Sequence, residues 1–155
     1  MASDDAKARA ILLDETRWAN EFAWPEIESL AQHLRTDRRR KGDVVCHEGE
    51  ADPSLFVIAK GSVEIVKQAA AARETLLAKL GPGQTIGEMA LLDGQARSAT
   101  VVAAEDLVLL VLTRTALDRL IEEKPRLGAK LLWKLARLLS QRLRQTSGAL
   151  ADHLK

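Results

Sequence analysis

The chain predicts an α+β fold: an antiparallel β-roll of the jelly-roll kind, flanked by N-terminal helices and a long C-terminal helix. Three observations predict it. Apolar residues recur at helical spacing before about residue 37 and again after Thr113. Between Gly42 and Thr113 they fall instead into short strand-like runs, separated by Gly, Pro and Asp at close intervals. The length of 155 residues, with 46% hydrophobic and 29% charged side chains, suits one domain with a real core. The division that follows is a single domain over 1–155. It comprises a helical segment at 1–37, a β-roll at 38–113 containing a candidate site at 86–100, and helices at 114–155.

Residues 4–35 read as helical, with Pro25 where a helix can restart in its first turn. Ile27, Leu30, Ala31 and Leu34 share one face, which would cover the rest of the domain. Arg38-Arg39-Arg40-Lys41 reads as a solvated basic run leading into a strand; four charges are too few for a nucleic-acid track. The clearest strands are Val44–Cys46, Leu55–Ile58, Val63–Val66, Thr75–Leu77 and Val108–Leu112. Their turns are Glu48-Gly49-Glu50, Asp52-Pro53-Ser54, Lys60-Gly61-Ser62 and Gly81-Pro82-Gly83-Gln84. Ala69–Ala72 reads as a hairpin tip. Thr113 or Thr115 would cap a helix, and Pro125 would open a longer one.

Composition excludes several classes. Twenty-three Lys and Arg against 22 Asp and Glu leave a formal charge of +1, too weak a field to gather free nucleic acid. The single Cys46 leaves no internal disulfide and suits a reducing, cytoplasmic setting. No apolar run approaches the roughly 20 residues that span a bilayer, and the charged N-terminus lacks a signal-peptide core. His33, His47 and His153 are far apart with no His-x-His spacing, so neither a metal site nor a metal-dependent double-sheet enzyme is expected. No catalytic residues and no cofactor are expected either.

The run from Gly87 to Thr100, GEMALLDGQARSAT, carries chemistry. Gly87 lets backbone approach a ligand, and Glu88–Leu92 are helix formers, so a short helix opening there would aim unpaired N–H groups, those of Met89 and Ala90 among them, at an anion. Arg97 offers a planar fork for two phosphate oxygens, with the Ser98 hydroxyl beside it. Glu88 is a poor phosphate neighbour but a good acceptor for a sugar hydroxyl. The set suggests a ribose joined to a phosphate.

This run closely resembles the phosphate-binding cassette of cyclic nucleotide-binding domains. The Gly-Glu pair, the apolar Met89-Ala90-Leu91-Leu92 turn, the four-residue loop and Arg-Ser-Ala-Thr all stand at the family's spacing. Ala96 and Ile86 depart from it, where many relatives have proline and an aromatic; neither change removes a ligand group. The resemblance covers about residues 38–150 and implies an eight-stranded roll. It also implies a cyclic nucleotide, cyclic AMP first and cyclic GMP as the alternative, held by Gly87, Glu88, Met89, Ala90, Arg97 and Ser98.

The last helix carries a second pattern. Leu132, Ala136, Leu139, Leu143, Thr146, Leu150 and His153 are spaced by four and three, a seam for a second copy of the chain, while Leu131, Leu135 and Leu138 form an edge for the chain's own roll. A homodimer is expected. The segment 138–147 is similar to the dimer helix of catabolite activator-type members of the family, which implies that Thr146 and Ser147 contact the purine, one from each subunit. A nucleotide-responsive regulatory module is therefore expected. The ligand-binding part of a transcription regulator, or a dimerisation module without ligand, are the alternatives; a DNA-binding winged helix would have to begin where these 155 residues stop.

Overall fold

The computed structural model describes residues 5–68 and 74–153, with side chains to Gly148. The Ala69–Ala72 tip therefore lies outside the described residues, as do the side chains of Leu150 and His153. Helices α1 (Ala6–Asp14) and α2 (Trp24–Ala31) precede strands β1 (Arg35–Arg39), β2 (Val44–Cys46), β3 (Ser54–Lys60), β4 (Val63–Gln68), β5 (Glu74–Leu80) and β6 (Thr85–Ile86). Helix α3 (Glu88–Asp93) follows, then β7 (Thr100–Ala103), β8 (Leu107–Thr113), α4 (Arg114–Glu123) and α5 (Pro125–His153).

The strands form two antiparallel four-stranded sheets, ordered β1-β8-β3-β6 and β2-β7-β4-β5. Consecutive strands alternate between the sheets, β4 and β5 excepted, which is the roll expected from many short strands. Strands β3 and β8 explain their own continuous apolar runs. Phe56, Ile58, Leu109 and Val111 face the interior of the roll, whereas Leu55, Val57, Leu110 and Leu112 face the helices. A strand buried on both faces has no reason to alternate.

The N-terminal helical reading needs correction in detail. In place of near-continuous helix the chain breaks after Asp14, makes a single 3-10 turn at Arg17–Ala19, and restarts at Trp24. The break lets Trp18, Ala19 and Phe22 join Ala10 and Leu13 in one core, which a straight helix could not do with this spacing. At the restart the Glu26 carboxylate accepts a hydrogen bond from the Ala23 N–H at 2.8 Å, with Pro25 in the first turn as expected. Thr113 caps α4, its hydroxyl accepting from the Ala116 N–H at 3.1 Å. The basic run also begins the roll earlier than expected: Arg38 and Arg39 lie within β1, paired with Val108 and Leu107 of β8.

Helix α5 is seated by Leu127, Leu131 and Leu135, the last two fully buried, so the expected inner edge packs on the chain itself. Leu138 is partly buried against the same core, and from Ser140 to Gly148 every residue is exposed. Of the outer seam, Leu132 and Leu139 are half-buried while Ala136, Leu143 and Thr146 are exposed.

Candidate functional site

Strand β6 delivers the chain to Gly87, which caps α3 in the left-handed region at φ 91°. That backbone is available to glycine at little cost. A side chain there would overlap the Arg97 guanidinium and come within 2.5 Å of the Ser54 carbonyl oxygen. Gly87 thus makes room for Arg97 to lie against the start of α3. As in any α-helix, the first-turn N–H groups of α3 have no partner within the helix.

Arg97 is 6% exposed. Its own backbone is fixed by the loop at 49–50: the Arg97 N–H donates to Glu50 and the Gly49 N–H donates to the Arg97 carbonyl. The guanidinium sits 5.3 Å from the centre of the Phe56 ring. One nitrogen, Nη2, donates to the Ser54 carbonyl at 2.8 Å and lies 3.4 Å from the Asp52 carboxylate. The other two, Nε and Nη1, are buried and have no hydrogen-bond partner among the described residues. Buried donors on a charged group rarely stand without an acceptor, because each forfeits its hydration. Both are N–H donors of a planar cation, of the kind that binds phosphate oxygens.

Arg97 lines a cavity of about 350 Å³ together with Gly87, Glu88, Met89, Ala90 and Ser98. Six of the expected ligand-binding residues are therefore brought together. The lining also includes an apolar set, Ile65, Ala78, Leu80 and Val101, suited to the face of a flat ring. Cys46 also lines the cavity, 2% exposed, and burial pushes its thiol above the usual range despite the opposing pull of Arg97. It fills space as an apolar residue. Among the described residues there is no cluster of His, Cys, Asp and Glu fit for a metal ion.

Glu88 is 1% exposed. One carboxylate oxygen accepts from the Thr85 hydroxyl. The other accepts from Nη1 of Arg142 at 2.6 Å, while Nη2 of Arg142 lies 3.4 Å from the Thr85 carbonyl. Arg142 belongs to α5, lines the cavity, and is the candidate residue that sequence reading misses; its one signal is a cation in a helix whose later residues Thr146 and Ser147 are expected to contact the base. Replacing it with alanine leaves a buried carboxylate without its cation. Because Arg142 is about half exposed, the expected cost is about 1 kcal/mol, to be read as a lower urea midpoint at unchanged slope.

Thr146 and Ser147 do not line the cavity of the single chain. Both are exposed, and the Thr146 hydroxyl donates to the Arg142 carbonyl one turn back at 3.0 Å.

With this geometry in place, the comparisons assign the class. The family model for the cyclic nucleotide-binding domain matches residues 37–124, more than half of the chain. The chain belongs to that family. It is 38% identical over 120 residues to the cyclic AMP receptor protein of Thermus thermophilus, covering 77% of this chain and 54% of that protein. It is 32% identical over 126 residues to a CRP-like cAMP-activated global transcriptional regulator of Mycobacterium tuberculosis, covering 81% of this chain and again 54% of the relative. The chain spans about half the length of these relatives. A cyclic nucleotide-binding domain structure from Methylobacillus flagellatus superposes with a TM-score of 0.82 at 27% identity, covering 98% of this chain and 87% of that one.

Proposed function

We propose that the chain is a non-enzymatic regulatory module that binds a cyclic nucleotide, cyclic AMP before cyclic GMP, and relays its presence through α5. The observation that carries this is Arg97, a nine-tenths buried cation with two donors unpartnered in a cavity of nucleotide size. Arg97 neutralises the cyclic phosphate, assisted by Ser98 and by the backbone N–H groups of Met89 and Ala90. Glu88 accepts the ribose hydroxyl. The apolar set takes one face of the base, and Thr146 and Ser147, one from each subunit, hydrogen-bond its edge in a cytoplasmic homodimer formed along α5.

The relay follows from Arg142. Its contact to Glu88 ties α5 to the same carboxylate that receives the ribose, so ligand and helix position are linked through one group. A nucleotide that favours one arrangement of α5 shifts the population by its difference in affinity. The identity with the Thermus receptor over 54% of its length supports a second reading, the same module serving as the ligand-binding part of a transcription regulator. Neither reading calls for metal or cofactor.

Calorimetric titration of folded, nucleotide-free protein with cyclic AMP and with cyclic GMP tests the binding. Saturable heat at one site per chain is expected, larger in affinity for cyclic AMP, and no heat from either nucleotide overturns the reading. For the relay, saturating nucleotide is expected to change amide exchange in α5; identical exchange with and without it contradicts that step.

A further inference from the structure

We propose that Glu21 is a positioning residue for ligand binding: it fastens α5 at its last anchored turns and thereby fixes where Arg142 meets Glu88. Glu21 lies in the turn between the 3-10 segment and α2, more than a hundred residues from its partners. One of its carboxylate oxygens accepts from Nζ of Lys134 at 2.7 Å, and the other accepts from Nη2 of Arg137. Those two cations flank Leu135, the last fully buried residue of α5. Arg137–Glu21 is the last polar contact of α5 with the N-terminal segment, among the described residues, before Arg142 reaches Glu88.

The same turn grips α5 through its rings. Trp18 and Phe22 are stacked, with centroids 5.7 Å apart. Nζ of Lys134 sits 4.9 Å from the Trp18 ring centre, and Nζ of Lys130 sits 5.1 Å from that of Phe22. Lys130 also donates to Glu26 at 2.8 Å. Lys130, Lys134 and Arg137 fall on one helix face at i, i+4 and i+7, so the N-terminal segment holds that face over two turns. A roll of the helix about its axis turns every side chain on it by the same angle, so Arg142, little more than one turn beyond Arg137, moves with any roll there. The apolar anchors fix depth at Leu131 and Leu135, whereas the Glu21 fork, holding two points from one carboxylate, fixes rotation. Partial burial pushes the Glu21 carboxyl up, but Lys134 and Arg137 more than offset this and hold it below its usual value, so the fork is charged throughout the neutral range.

Two readouts separate this proposal from the ligand reading on which its binding arm rests. In the protein without nucleotide, Glu21→Gln is expected to raise amide exchange across 139–148 by severalfold while the unfolding midpoint stays near wild type, and Arg137→Gln is expected to reproduce it. In titrations with cyclic AMP, Glu21→Gln is expected to weaken binding about three- to tenfold, and Arg142→Ala is expected to add little on top of it. Unchanged exchange across 139–148 in both variants overturns the proposal. So does full additivity of Glu21→Gln and Arg142→Ala in binding. If the wild-type protein binds no nucleotide, the ligand reading fails, and the exchange measurement alone still decides whether Glu21 holds Arg142 in place.

Discussion

Replacing Arg97 with leucine is expected to lower affinity for cyclic AMP at least about 100-fold while changing the unfolding free energy by less than about 2 kcal/mol. The first half follows from the buried guanidinium that lines the cavity with two donors unpartnered. A phosphate there gains a charge-assisted pair in a site shielded from water, and losing one partner of such a pair costs about 3–5 kcal/mol, or roughly two to three and a half decades in the dissociation constant. The second half follows from burial. Arg97 is 6% exposed with two of its nitrogens unpartnered, so the substitution removes a desolvation cost along with the hydrogen bond to the Ser54 carbonyl, and the two largely offset. Leucine retains packing on Phe56. A residue present only for structure gives the opposite pattern, a large loss of stability with little effect on binding, so calorimetric titration beside urea denaturation distinguishes them.

Gly87→Ala is expected to damage both properties at once. The position has φ 91°, and an added Cβ would overlap Arg97 and approach the backbone oxygen of Ser54 at 2.5 Å. A strained backbone of this kind costs about 1–3 kcal/mol for a residue other than glycine, before any displacement of neighbours. The flexible part of the clash is the guanidinium, so relief comes by pushing Arg97 away from the cavity edge. We therefore expect a lower melting temperature and a loss of cyclic AMP binding approaching that of Arg97→Leu. Gly94→Ala is the control. That glycine is also left-handed, at φ 69°, but an added Cβ meets nothing within 4 Å, so stability falls by about 1 kcal/mol and binding is retained.

The cassette is legible in the sequence because its groups lie in one continuous run. Gly87, Glu88 and Arg97 are close in sequence, their chemistry is distinctive in combination, and the fold has only to close one turn to bring them together. The fold class is legible for a related reason: Leu55–Ile58 and Val108–Leu112 are apolar enough to announce buried strands, and Pro25 and Pro125 mark helix starts. Strand β1 is not legible. Its sequence Arg-Thr-Asp-Arg-Arg has no apolar alternation, and its extended backbone comes from pairing with β8 at the sheet edge. The break after Asp14 is hidden because its residues are competent helix formers; what ends the helix is the tertiary gain from burying Trp18 and Phe22. Arg142 is the instructive omission. Its partner lies 54 residues away, and no local pattern in α5 distinguishes it from Arg137 or Arg144, both of which are also exposed. A side chain whose role depends on a contact across the fold is readable only once the fold is known.

Arg97 at this cavity is expected to receive a cyclic phosphate. Phosphorus-31 NMR of cyclic AMP titrated with the protein observes that atom directly. One equivalent of wild-type chain is expected to convert the free resonance to a shifted bound one, and Arg97→Leu at the same concentration is expected to leave the free resonance in place. A wild-type spectrum still at the free position, from protein that is folded and nucleotide-free, would contradict it.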